Sequence, residues 1–136
     1  MSKQEFCFIV PEDEEFSKEK VMPASYIRKT FVVEEEIKQA SLKMTALGVY
    51  LVYVNGQRVS QALLMPGFTN YHVRLQYQTF DIAPLLQKGK NTICVILGNG
   101  WYRGCLGITG DKAYYGDRLQ LAACLDIDLA SGKHMI

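Results

Sequence analysis

Two kinds of apolar spacing run along the chain, and both belong to strands. Val49 to Val54 is an unbroken run of β-branched, aromatic and aliphatic residues, the composition that suits a pleated, packed surface. Asn55-Gly56 follows, two residues that tolerate positive φ, as a type I′ turn requires, and Gln57 to Val59 starts the return strand. Elsewhere the period is two. Leu42, Met44 and Ala46 alternate with Ser41, Lys43 and Thr45, and Leu119 to Ile127 alternates with Gln120 to Asp128. Each reads as a strand with one wet face. Tyr26 to Glu34, with Phe31 and Val33 two apart, Arg74 to Asp81 and Asn91 to Leu97 complete the predicted strands.

Punctuation between them is equally local. Glu34 to Gln39 predicts a turn or a single helical turn. Asp81-Ile82-Ala83-Pro84-Leu85-Leu86 predicts another short helical turn, with Asp81 as cap, Pro84 early and Gly89 ending it. Met65 to Tyr71 is a loop by its Pro-Gly pair, and Gly98 to Asp117 holds too much glycine for regular structure. Ser131-Gly132-Lys133 is a turn, after which His134-Met135-Ile136 opens a strand. The Val49–Val54 strand, apolar on both faces, belongs inside its sheet, with a second sheet over one face and loops over the other. These expectations describe an all-β protein, an antiparallel β-sandwich of the jelly-roll kind.

Domain organisation follows from where that pattern begins. Residues 1–25 are mixed, with Glu12 to Glu15 and Lys18 to Lys20 as charge runs between Pro11 and Pro23. They predict an amino-terminal arm or linker, solvated or carrying a short edge strand. Residues 26–136 form the sandwich. A strand opening at His134 predicts a sandwich truncated at its carboxy-terminal end, in a piece of a longer protein.

Composition narrows the functions. At 136 residues and 49% hydrophobic content, one domain with a genuine core is expected. A net charge of +1 argues against a nucleic-acid partner, and the apolar runs are strand-length, so no membrane span is expected. The Met-Ser-Lys-Gln-Glu start has no apolar core behind it, which predicts a cytoplasmic chain. Cys94 and Cys124 read as small buried hydrophobes within strands, and Cys7, Cys94, Cys105 and Cys124 as free thiols. With no Cys-x-x-Cys and only His72 and His134, a structural zinc site is not expected, and no metal site or cofactor is assigned.

Tyr53-Val54-Asn55-Gly56-Gln57-Arg58-Val59, then Phe80-Asp81-Ile82-x-x-Leu85-Leu86-x-x-Gly89-x-Asn91-x-Ile93-x-Val95, resembles the galactose-binding-like jelly roll on the amino-terminal side of many glycoside hydrolases. Three further stretches narrow the resemblance: Pro66 to Tyr71, Gly98 to Gly104, and Tyr115-Gly116-Asp117-Arg118. With them the chain resembles the N-terminal β-sandwich domain of bacterial α-L-rhamnosidases, glycoside hydrolase family 78, over roughly residues 26 to 130. It departs from the family at two positions: Phe68 stands where a Trp is common, and Asn99 where an acidic residue is common.

The resemblance implies a non-catalytic accessory domain that packs on a downstream catalytic barrel, where an acidic acid–base pair works by inversion. The expected partners are that barrel, in the same polypeptide, and rhamnose-containing glycans. Glycoside hydrolysis usually needs two opposed carboxyl groups. Here Asp81 reads as a cap, Asp126 and Asp128 share one strand face, and no catalytic pair is marked. The other functions open at this level are an autonomous carbohydrate-binding module, the sugar-binding domain of a β-galactosidase- or β-glucuronidase-type hydrolase, and a protein-interaction domain.

Carbohydrate-binding candidates lie in the aromatic loops: Asn99, Trp101, Tyr102 and Arg103, then Phe68, Asn70 and Tyr71, then Tyr115, Asp117 and Arg118. Sugars stack their C–H faces on rings, while Arg and Asn satisfy hydroxyls. The competing reading makes Trp101 a plug of the sandwich end or a docking residue, the commoner fate of an aromatic beside an interface. Asp117 reads either as a hydroxyl or calcium ligand or, preferably, as half of a turn pair with Arg118 or an ion pair with Arg103 that fixes the long loop.

Overall fold

The computed structural model describes residues 7–12, 14–17, 19–20 and 22–136. Ten strands, β1 to β10, follow in chain order: Ser25–Val33, Ile37–Leu47, Val49–Val54, Gln57–Arg58, Gln78–Asp81, Gly89–Gly98, Cys105–Leu106, Asp111–Lys112, Gln120–Leu129 and Gly132–Met135. They form two four-stranded antiparallel sheets, ordered β1-β6-β3-β4 and β10-β9-β2-β5, and a separate ribbon of β7 and β8. The all-β antiparallel sandwich expected from the sequence is what the chain forms.

Alternation decides which side chains fill it. Phe31, Val33, Tyr50, Val52, Val54, Val95 and Leu97 from one sheet meet Ala40, Leu42, Met44, Ala46, Leu121, Leu125 and Ile127 from the other, all buried in one cluster. β2 passes into β3, and so from one sheet to the other, across Gly48 alone. A Cβ there would stand 2.6 Å from the Gly98 carbonyl oxygen, and φ is +140°. Only glycine fits so close an approach in that conformation.

The Asn55-Gly56 turn has φ values of 49° and 81°, the signs a type I′ turn needs. The Asn55 side chain does more than tolerate the turn. Its amide donates to the Leu85 carbonyl (2.9 Å) and to Asn91 Oδ1 (2.8 Å), while its oxygen accepts from Thr92 N–H (2.9 Å). Asn91 is fully buried, and its other bonds go to Gln87 and Gly89. This network locks the hairpin tip to the turn before β6, and every polar atom in it has a partner, as burial demands.

Several boundaries differ from expectation. β2 starts at Ile37, so Ile37 to Gln39 is strand rather than turn, held by pairing with β9 through an irregularity at Ile37–Gln39. Only Gln78–Asp81 of the expected Arg74–Asp81 strand pairs, opposite Ser41–Met44 of β2; just before it, the Gln76 carbonyl accepts from the Thr45 hydroxyl (2.6 Å). The helical turn is a 3₁₀ turn at Ala83–Leu85, with Asp81 Oδ1 accepting from Ala83 N–H (3.1 Å); Gly89 opens β6 rather than ending the turn. The glycine-rich stretch holds regular structure after all: a one-turn helix, α1 (Gly100–Arg103), and the β7–β8 ribbon. Cys94 and Cys124 take the outward-facing alternate positions of β6 and β9 and are half-buried.

The amino-terminal arm lies on the sandwich. Ile9 exchanges both backbone hydrogen bonds with Leu121, continuing the line of β10 along the edge of β9.

Candidate functional site

One end of the sandwich is built from two loops, residues 66–77 and 99–118. The first is shaped by Asn70, whose carbonyl accepts from Val73 and Arg74 N–H and whose side chain accepts from His72 N–H (3.1 Å). The second leaves β6 into α1, so that Trp101 and Tyr102 project from one helical turn.

The loops meet through their rings. Phe68 and Trp101 stand edge to face with centroids 5.7 Å apart. Tyr71 lies 5.4 Å from Tyr102 and 5.0 Å from Tyr115. Tyr115 also meets His72 and Tyr114, at 5.0 and 4.8 Å. Tilted and T-shaped contacts like these match the ring quadrupoles. Tyr71 Oη donates to the Gly67 carbonyl (3.1 Å). Tyr102 Oη sits over Gly116, where an added Cβ would come within 2.2 Å, so a side chain at 116 would displace the phenol. Burial, then the neighbouring Tyr115, pushes the Tyr71 phenol above its ordinary value; burial, then the Asp117 charge, does the same to Tyr102.

Arg103 faces the other way. It is buried, its Nε donates to Asn99 Oδ1 (2.8 Å), and its Nη1 reaches the Glu14 carboxylate and the carbonyls of Glu15 (3.0 Å) and Asp117 (3.3 Å). Phe16 lies under the guanidinium, 5.8 Å away. Glu14 also accepts from Leu119 N–H (2.7 Å). The partner of Arg103 is therefore Glu14 of the arm and not the Asp117 carboxylate; from Asp117 it takes only the backbone. Glu14 stood in a charge run that read as solvated, and nothing local in the sequence marks it for a buried pair.

The structure thus divides the candidate residues. Phe68 and Trp101 form one ring pair, and Tyr71, Tyr102 and Tyr115 form a second cluster on the same two loops, with Asn70 exposed beside Tyr71. Asn99 and Arg103 turn inward to the arm, while Asp117 and Arg118 are exposed at the loop's return. His72 and Tyr114 join the cluster although the sequence marks neither as a ligand; Tyr114 was legible only as part of a Tyr-Tyr pair.

Three carboxylates elsewhere have structural partners. Asp126 pairs with Lys43 (3.4 Å), Asp111 accepts from Thr109 (2.9 Å), and Glu35 accepts from Ser131 N–H (2.9 Å). Among the described residues no three His, Cys, Asp or Glu side chains gather into a metal site.

Comparison with known proteins agrees with this architecture. Residues 35–136 match the model of the α-L-rhamnosidase N-terminal domain. An α-L-rhamnosidase of Streptomyces avermitilis is 37% identical over 110 residues, which are 80% of this chain and 11% of that protein. The crystal structure of Aspergillus terreus α-L-rhamnosidase superposes with a TM-score of 0.89 at 35% identity, over 95% of this chain and 15% of that one. The S. avermitilis enzyme solved in complex with L-rhamnose superposes with a TM-score of 0.80 at 36% identity, over 84% of this chain and 11% of that one. The chain therefore spans about a tenth of the length of the curated relative it matches. On sequence and on fold alike, it belongs to the α-L-rhamnosidase N-terminal domain family.

Proposed function

We propose that the chain is a non-catalytic accessory domain of an α-L-rhamnosidase, which packs on the catalytic part of the same polypeptide and helps to recognise its carbohydrate substrate. The observation that carries this reading is the two-loop aromatic surface centred on Phe68 and Trp101. Phe68 is exposed and Trp101 half-buried, so ring faces remain for a sugar's C–H groups. Tyr71, Tyr102 and Tyr115 hold the same two loops together. Supporting a non-catalytic role, Glu14, Glu35, Asp81, Asp111 and Asp126 are engaged in caps, turns and ion pairs. Hydrolysis of a glycoside usually needs two opposed carboxyl groups. Because Arg103 and Asn99 turn inward, we assign sugar contact to the ring surface with Asn70 rather than to them.

L-rhamnose, present in the structure of the S. avermitilis relative, is the natural probe. The purified chain should release no phenol from an aryl rhamnoside. In the whole enzyme, Trp101→Ala should raise KM by about three- to tenfold with kcat nearly unchanged, the pattern of lost uniform binding. Turnover by the isolated chain would overturn the non-catalytic reading. An unchanged KM in the Trp101 variant would overturn the recognition role.

A further inference from the structure

The two sheets do not close evenly. Along the side bounded by β1 in one sheet and by β10 and the Ile9 segment in the other, an apolar slit of about 200 Å³ opens between them. Its walls are inward-facing side chains of both sheets, among them Ile27, Ile93, Val95, Met44, Leu121 and Leu125. Two separate openings flank it, one beside Ile9, Ile27 and Tyr26, the other beside Ile136, Val32 and Glu35. From β1, Ile27 and Lys29 face the slit, while its other inward residues, Ser25, Phe31 and Val33, are buried.

Three further features point to what it takes. β1 is an edge strand, with neither a bulge nor a paired neighbour on its outer side among the described residues. A long unpaired edge of this kind is one that proteins normally cover. Lys29 and Ala123 occupy inward positions of β1 and β9, yet both are exposed, because nothing described lies over them. Lys29 has no ion-pair partner among the described residues, so an otherwise apolar wall carries one cation.

We propose that a β-strand from the part of the rhamnosidase polypeptide outside residues 1–136 adds to the free edge of β1 and covers the slit, with apolar side chains inward and a carboxylate against Lys29. The inference rests on the reading of the chain as one domain of a longer enzyme, which its coverage of only about a tenth of the S. avermitilis relative supports. Strand addition fits because β1 offers backbone groups for affinity and the alternating slit offers selectivity.

The experiment compares the 136-residue chain with the full-length gene product. Amide exchange and acetylation by an activated ester are both read by mass spectrometry, with exposed Lys88 as internal reference. In the full-length protein, Lys29 acetylation and exchange across β1 should fall about tenfold or more, as local opening there is suppressed. Ala123→Leu should raise the Tm of the 136-residue chain, where the new side chain fills the slit, and lower that of the full-length protein, where it meets the added strand. Equal exchange and labelling in the two proteins would overturn the proposal, as would the same sign of Tm shift. Two other occupants would overturn it too: a second copy, seen as concentration-dependent protection of the 136-residue chain, or residues 1–6, seen as protection lost when they are deleted. Failure of the sugar-recognition reading leaves these outcomes untouched, since none involves Trp101. A gene product no longer than this chain would end both readings.

Discussion

Arg103→Met tests the contact that ties the aromatic end to the amino-terminal arm. The Arg103 and Glu14 side chains are 2% and 8% exposed, so the substitution leaves a nearly buried carboxylate with Leu119 N–H as its remaining described partner. It also removes donors to Asn99 Oδ1 and to the Glu15 and Asp117 carbonyls. Breaking one side of a buried pair costs about 3–5 kcal/mol, which is about a fifth or more of a typical stability of about 5–15 kcal/mol. Glu14→Met should cost a comparable amount for the mirror-image reason. The double change leaves only neutral groups short of partners, and the arm can relax to let water reach them. It should therefore cost less than the sum of the single changes by about 2 kcal/mol or more, in the range found for contacting residues. Urea unfolding read by far-UV circular dichroism, and separately by the fluorescence of the single tryptophan, measures each variant. With a slope of about 1–3 kcal/mol per molar urea, the midpoint of either single variant should fall by about 1–5 M. Single losses below about 1 kcal/mol, or a double variant equal to the sum, would refute the buried clamp and return Glu14 to the solvated face that its charge run suggests.

Asn91→Ala should destabilise by about 2–4 kcal/mol in the same assay, because it strands the Asn55 amide, Gln87 N–H and the Gln87 and Gly89 carbonyls. An effect within about 0.5 kcal/mol, the usual surface value, would contradict the network. Gly116→Ala should displace the Tyr102 phenol, cost about 1–3 kcal/mol as overpacking does, and flatten the near-UV aromatic signal while far-UV dichroism persists. An unchanged near-UV spectrum would argue against the close approach. Tyr50, Tyr71 and Tyr102 have phenols held above the ordinary value, in each case first by burial. A raised folded-state value favours the neutral phenol in the fold. This contribution to stability is therefore complete below about pH 10, the unfolded value, and is lost as pH rises through the native values. Phenolate absorbance from these three should appear together with unfolding; titration of all eight tyrosines with dichroism intact would refute it.

Much of this protein was legible from residue order alone. The Val49–Arg58 hairpin, the inward set of β2 and β9, and the Asp81 cap are decided by alternation, turn chemistry and side-chain reach within a few residues. The aromatic candidates were readable for the same reason, since Trp101-Tyr102 and Tyr114-Tyr115 sit in glycine-bounded loops. Which of those rings touch was not. Phe68 meets Trp101, and Tyr71 meets Tyr102 and Tyr115, only because the sheet order brings loops some thirty to forty positions apart to one end. Nor did local pattern distinguish the Glu14 carboxylate from its charged neighbours, or Arg103 from a sugar ligand. A buried ion pair between residues 14 and 103 exists only once the arm lies along β9. Strand alternation is set by the backbone's own period of two, which every short window of sequence carries; the partners of a charge or a ring are set by which elements the packed sheets place side by side.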